Sequence, residues 1–338
     1  MSRSTKIPTI PNHATPTFAE TVAVTPVGVE VLLDILRRPR FSQTEGEAYV
    51  IDKYIAPLNG CTVDDYGNFW LDIADADGNP AVTMFSSHTD TVHKRSATDT
   101  YKLSLKGNWL TVAGGGVLGA DCGTGVWIML NLIAAGVPGL YVFHRDEEIG
   151  GGGSSYIAEN LPGRLEGIKH CIAFDRKATS HVITHQGGSR CCSDAFANAF
   201  ADLLNLGSGM EFEPNDGGSF TDSANYTHLI PECTNLSIGY YDQHTMEERQ
   251  DLSFAAALVT KLISLPFDQL PAERDPKAED EEDDWRDYFR NYRRGPSMRD
   301  LVELYADAVV DLLDQLGVDR AELEQYIADA YGVSVEEL

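Results

Sequence analysis

The sequence predicts an α/β protein: a three-layer sandwich with a mixed, mostly parallel central sheet covered by helices, followed by a C-terminal helical hairpin. Three observations carry this. Short apolar runs of strand length alternate with segments of helical period between residues 27 and 265. Many of the runs end at a polar or Gly-rich turn holding a carboxylate or a histidine, where an open α/β sheet presents side chains to a crevice. The chain has 338 residues, 43% of them hydrophobic and 30 of them glycine, enough to bury a large core.

Taken in order, residues 1–20 are rich in Pro and Thr and read as an extended arm. Residues 27–37 read as a helix, because Val29, Val31, Leu32, Leu33, Ile35 and Leu36 give it a broad apolar face. A second helix over 43–56 is opened by Ser42 as N-cap, with Glu45 at capping-box spacing. Strands over 61–63 and 68–73 flank a turn, and the turn at 77–80 leads to a strand over 81–85 that delivers His88 and Asp90. Residues 103–112 read as a hairpin. Asp121 opens a helix that runs through Val126, Met129 and Ile133. Strands over 140–143 and 171–174 end at Glu147-Glu148 and at Asp175. A short strand over 182–184, a helix over 193–206, a strand over 235–240 just before His244 and a helix over 252–265 complete the unit. The long apolar stretch 126–143 is interrupted by Asn131 and by Gly136-Val137-Pro138-Gly139, so it reads as helix, turn and strand rather than a membrane span.

The formal charge of −26 disfavours nucleic acid and anionic membranes, since both repel an acidic surface. Six cysteines in a chain this long do not make a disulfide framework, and adjacent Cys191 and Cys192 read as core thiols. The first residues lack an apolar leader, so the expected location is cytoplasmic. The domains expected are an arm over 1–20, a catalytic unit over 21–265, an acidic linker over 266–296 and a helical hairpin over 297–338. Residues 272–338 hold 20 acidic and 8 basic side chains, and so carry −12 of the total charge. The hairpin has caps at Ser297 and Asp319 and stripes through Leu301, Leu304, Ala308, Leu312 and through Leu323, Tyr326, Ile327. Such a stripe must dock on the catalytic unit, on a partner or on another copy, making a homo-oligomer through the hairpin one expectation.

The chemistry-bearing residues are His88 and Asp90 in S-S-H-T-D-T, Asp121 in L-G-A-D-C-G-T-G, Glu147 and Glu148 in H-R-D-E-E-I-G, Asp175 in A-F-D-R and His244 in Y-Y-D-Q-H-T. Each motif alone is weak, because H-x-D is common and paired glutamates usually face solvent. In this order they supply two histidines, three carboxylate ligands, a spare glutamate for proton transfer and a spare aspartate to orient an imidazole. That set suits two zinc ions about 3.5–4 Å apart with a shared carboxylate. Asp90 reaches the orienting role where the strand end curls. One of Glu147 and Glu148 can ligate while the other faces water. His181, His185 and His228 compete with His244 for the late position, whereas His93, His144 and His170 read as surface or outer-shell groups. The glycine runs 114–116 and 150–153 lack a phosphate-loop pattern and instead permit close backbone approach. Asp222, in G-G-S-F-T-D-S, reads either as a substrate contact or as a turn cap.

This ordered set resembles the co-catalytic di-zinc exopeptidases and amidohydrolases, of the bacterial leucine-aminopeptidase type and the tripeptidase and carboxypeptidase-G2 type. The match spans residues 81–250. The resemblance implies that His88 and Asp175 hold one zinc and Glu148 and His244 the other. It further implies that Asp121 bridges, Glu147 is the general base and Asp90 orients His88. Co²⁺ and Mn²⁺ fit the same ligands. The peptide bond after the bridging aspartate is cis in many members. The implied activity is hydrolysis of a small peptide or amide, with an exopeptidase first. Deacylation of an acylated amino acid and a catalytically silent binding module are the alternatives. Two departures stand out. Cys122 occupies a position that is often Asp or Asn, and only 68 residues separate Asp175 from His244, too few for the lid domain of the carboxypeptidase branch.

Overall fold

A computed structural model describes residues 25–277. The chain divides into two units, residues 1–278 and 279–338. The expected arm over 1–20, the acidic run over 279–284 and the hairpin over 297–338 lie outside the described residues.

In chain order the elements are α1 (Val29–Leu36), α2 (Glu45–Val50, continued by a π turn over Ile51–Ile55), β1 (Thr62–Val63), β2 (Phe69–Ile73), β3 (Thr83–His88), β4 (Leu103–Lys106), β5 (Trp109–Val112), α3 (Ala120–Ala134), β6 (Gly139–His144), α4 (Gly152–Asn160), β7 (His170–Arg176), β8 (His181–Ile183), β9 (His185–Gln186), β10 (Ser189–Arg190), α5 (Asp194–Asn205), β11 (Glu213–Asn215), β12 (Glu232–Ser237), β13 (Tyr240–Tyr241), β14 (Arg249–Asp251) and α6 (Leu252–Ile263). The central sheet has eight strands in the order β1-β2-β6-β3-β7-β12-β8-β11. Its middle four, β6, β3, β7 and β12, run parallel, and β2 is antiparallel to β6. The three-layer α/β sandwich is therefore the observed fold.

Alternation along the central strands explains the two outer layers. Met84, Leu140 and Val142 enter one apolar cluster, with Trp70, Ile157 and Tyr226. Phe85, Tyr141 and Phe143, one residue out of phase, enter the other with Leu32, Ile35, Trp127 and Leu258. Asn131, the polar break in the apolar stretch, is buried on α3 and fully used: its Oδ1 accepts from Val27 N–H at 2.7 Å and its Nδ2 donates to Trp127 O at 2.9 Å. No helix among the described residues is long and apolar enough to cross a membrane. All six cysteines are free, and Cys191 and Cys192 are buried.

Four local readings need correction. Ser42 does not cap α2: Thr44 occupies the N-cap, its hydroxyl donating backward to Phe41 O at 2.6 Å rather than capping, and the Ser42 hydroxyl donates to the Asp146 carboxylate. The strand expected over 235–240 breaks in two, because the chain leaves the main sheet after Ser237 and enters a second sheet, β13-β14-β5-β4. Gly239 makes that crossing at φ +93°, where a Cβ would sit 2.6 Å from Phe254 Cδ1. Helix α4 went unread behind the glycine run. Gly153 is needed there because a Cβ would lie 2.3 Å from Asn68 Oδ1. Finally, residues 266–277 pack on the first unit rather than forming a linker. Phe267 meets Phe85 edge-on at 4.9 Å, and Glu232 accepts from Glu273 N–H at 2.7 Å.

His93, His144 and His170 are buried, not superficial. His93 uses both ring nitrogens in the neutral form: Nε2–H donates to Val117 O at 3.0 Å, and Nδ1 takes the Thr91 hydroxyl. Burial, then the Arg40 guanidinium, pushes its pKa down to about 3. The unfolded chain therefore binds the extra proton first, and the stability that neutral His93 contributes is present above pH ~6.5 and lost as pH falls toward its folded pKa. His93→Gln is expected to flatten the acid limb of a stability-versus-pH curve by up to about 1.4 kcal/mol per pH unit. Urea midpoints between pH 7 and 4 that fall equally steeply in both proteins would contradict this.

Candidate metal centre

Three of the candidate segments leave the sheet at the carboxyl ends of parallel strands: His88 ends β3, the 145–148 turn follows β6, and Asp175 lies near the end of β7. Asp121 comes instead from the start of α3, and His244 from the β13–β14 loop beyond β12. His88 is almost fully buried. Its Nδ1 donates to Asp90 O at 3.0 Å and lies 3.4 Å from Asp90 Oδ1. Nε2 is thereby left facing the cleft, 3.2 Å from Asp121 Oδ1, 3.5 Å from Asp175 Oδ1 and 3.9 Å from Glu147 Oε2. On the other side His244 Nε2 lies 3.2 Å from Asp121 Oδ2 and 3.2 Å from Glu148 Oε1. The two oxygens of Asp121 thus address the two histidines separately. Its peptide bond to Cys122 is cis.

Backbone geometry sets these side chains. Asp90 does more than orient His88. Its two carboxylate oxygens accept the backbone N–H groups of Glu147 and Glu148, each at 3.2 Å, so one buried carboxylate fixes an imidazole and the paired-glutamate turn together. Asp146, just before that pair, adopts φ +63°, and its carboxylate is held by Ser42 and by Tyr66 Oη at 2.8 Å. The Asp175 backbone is pinned by Asn235 and by Tyr240 Oη, which donates to its carbonyl at 2.9 Å.

The electrostatics call for cations. Burial pushes Asp175 up to about 7, helped by the Asp121 charge, and burial also raises Glu147 and Glu148 above the usual carboxylate range. Burial opposes protonation of His244, but the carboxylates of Asp121 and Glu148, each 3.2 Å from its Nε2, outweigh it and push the ring up to about 11. Asp121 is held well below its ordinary value: against the cost of burial, the hydrogen bonds from His244 and His88 dominate. Buried Glu148 Oε1 and Asp175 Oδ1 find no properly aligned hydrogen bond, although histidine nitrogens lie within 3.5 Å. Oxygens and nitrogens that converge without hydrogen-bond alignment suit a shared ion better than one another. Ligand atoms of Asp121, Glu148 and His244 all lie within 4.8 Å of each other, as do those of His88, Glu147 and Glu148. His88, Asp175 and Cys122 form a third such group. The Cys122 thiol donates to Phe174 O at 2.8 Å, and burial pushes its pKa well up in the metal-free site.

A cleft opens over these groups, walled by Arg176, Lys177, Ser219, Phe220, Tyr240 and Gln243. Asp222 is not in that wall. It is buried beneath it with Oδ2 3.3 Å from His144 Nδ1, and His144 Nε2 pairs with Tyr226 Oη at 2.6 Å. Among the described residues His181 and His185 converge on no metal-ligand group; they meet Arg176 and Thr184 instead. Sequence reasoning also passed over Glu248, which is buried and accepts four backbone N–H groups at 118–121. No short-range pattern marks such a partner.

No protein-family model matches the chain, and no curated protein sequence matches it. Solved structures do. Aminopeptidase PepT of Bacillus cereus superimposes with a TM-score of 0.58 at 15% identity, covering 70% of this chain and 98% of that one. A tripeptidase of Staphylococcus aureus gives 0.57 at 15%, covering 70% and 95%. The TET1 peptidase of Pyrococcus horikoshii, which can assemble into a tetrahedron or a large octahedral shell, gives 0.55 at 13%, covering 70% and 98%. The chain has the fold of these peptidases, the one that the order of its His, Asp and Glu motifs suggested.

Proposed function

We propose that this chain is a metal-dependent hydrolase, an exopeptidase that cleaves a small peptide with two divalent ions, zinc first among them. The observation that carries the reading is the placement of Asp121, whose two oxygens each lie 3.2 Å from a different histidine Nε2. Held on either side of it, one ion would take His88 and Asp175, and the other Glu148 and His244. Two such ions supply Lewis acidity and lower the pKa of a water to about 7. The rest falls to the side chains. Glu147 accepts a proton from the attacking water and returns it to the leaving nitrogen, a task that its burial favours by raising its proton affinity. Asp90 keeps the His88 Nδ1 proton in place, so Nε2 presents its lone pair.

Arg176 and Lys177 bring two cations to the wall of an otherwise acidic cleft. They suit the carboxylate of a short substrate, whether a peptide or an N-acyl amino acid. Self-association, the behaviour of the TET1 peptidase, is the corresponding proposal for assembly. A reducing, cytoplasmic setting fits six unpaired cysteines.

The test is a panel of di- and tripeptides with free ends, their N-acetyl forms and their C-terminal amides, offered to the zinc-loaded full chain. Peptides with a free carboxylate should be cleaved about tenfold faster or more than their C-terminal amides, because the amides remove the charge that Arg176 and Lys177 meet. Cleavage of N-acetyl amino acids alone would make it a deacylase. No turnover with both ions bound would make it a binding module.

A further inference from the structure

We propose that Glu248 is a positioning residue that locks the arm bearing Asp121 to the loop bearing His244. This rests on the metal reading above. Residues 118–121 lead into α3 without helical geometry: Gly119 is at φ +69°, and Asp121 and Cys122 depart from helical φ/ψ. The backbone N–H groups of residues 118–121, buried here, need acceptors from elsewhere. Glu248 supplies them from across the fold. Its Oε2 accepts from Leu118 at 2.7 Å and Gly119 at 2.9 Å, and its Oε1 from Ala120 at 2.8 Å and Asp121 at 3.3 Å. The carboxylate is 1% exposed, so water does not share these bonds.

Two features tie this anchor to the site. Glu248 follows His244 by four residues on the same β13–β14 loop, and Met246 O, between them, accepts from Gly116 N–H at 3.0 Å. On the opposite side of the 118–121 segment, buried Arg40 donates from Nη2 to Gly119 O at 2.7 Å and from Nε to Thr89 O at 3.3 Å, and Thr89 lies between His88 and Asp90. The segment before Asp121 is thus held from one side by Arg40, which also binds the carbonyl of Thr89 next to His88, and from the other by Glu248 on the loop that carries His244. With that clamp in place, both oxygens of Asp121 meet their histidines at one distance. Without it, the exposed His244 loop is free to drift from Asp121.

The test uses the full chain, Glu248→Gln, and Leu262→Ala as a control that removes a buried core side chain far from these bonds. A glutamine keeps one acceptor oxygen and turns an NH₂ group toward two of the four N–H donors. Hydrogen exchange at residues 118–121 of the metal-free protein should accelerate at least tenfold. In zinc titrations one of the two ions should bind about 10–100-fold more weakly, the usual effect of losing an outer-shell partner, while the other stays within about threefold. The control should lose thermal stability and keep both affinities. Unchanged exchange with wild-type affinity for both ions would overturn the proposal, as would an equal loss of affinity in the control. A wild-type chain that takes up no pair of ions would sink the metal reading itself, and this inference with it.

Discussion

Glu147→Gln is expected to lower kcat by about 10²–10⁴, roughly 3–5 kcal/mol of barrier, while both ions stay bound and KM changes little. The substitution keeps the shape and the hydrogen-bonding reach of the side chain and removes its basicity. Its backbone anchor is untouched, since Asp90 accepts the N–H of residue 147 and not its side chain. The neighbouring change should behave differently. Glu148 lies 3.2 Å from His244 Nε2, so Glu148→Gln should weaken one ion first and turnover only as a consequence. Steady-state kinetics at saturating zinc, read beside a calorimetric metal titration, separate the two. If Glu147→Gln loses an ion and Glu148→Gln loses only kcat, the two roles must be exchanged.

Asp121→Ala should cost both ions and bring activity below detection. Among the described residues, no other side chain places one oxygen toward His88 and the second toward His244. Its loss also leaves the raised carboxyls of Asp175, Glu147 and Glu148 without the group that joins their two halves of the site. The fold should survive, because the segment leading into α3 stays held by Glu248 through backbone atoms alone. Metal content by plasma mass spectrometry and a thermal melt suffice to check this. A variant that melts normally and still carries two ions per chain would remove Asp121 from the bridging position.

Much of the fold was legible because its signals are local. His88, Glu147-Glu148 and Asp175 each follow an apolar run, and those runs are β3, β6 and β7. The readings that failed concern residues whose partners are remote. Ser42 has the spacing of a cap, but Asp146, 104 residues away, takes its hydroxyl. Asp90 was legible as a partner for His88, two residues off, but not as the acceptor for a turn 57 residues later. Glu248 acts across 127 residues or more, and nothing in H-T-M-E-E announces it. Helix α4 opens on glycines and buries few apolar side chains, so its period was too faint to register. Asp222 in turn has its Oδ2 3.3 Å from Nδ1 of His144, 78 residues away, a neighbour that its own motif does not announce.

The most direct measurement is anomalous scattering at the zinc edge from crystals of the zinc-loaded chain. The account predicts two peaks about 3.5–4 Å apart, one on either side of the Asp121 carboxylate, the first within bonding distance of His88 and Asp175 and the second of Glu148 and His244. A single peak that Asp121 touches with one oxygen, or zinc bound only away from these five residues, would contradict it.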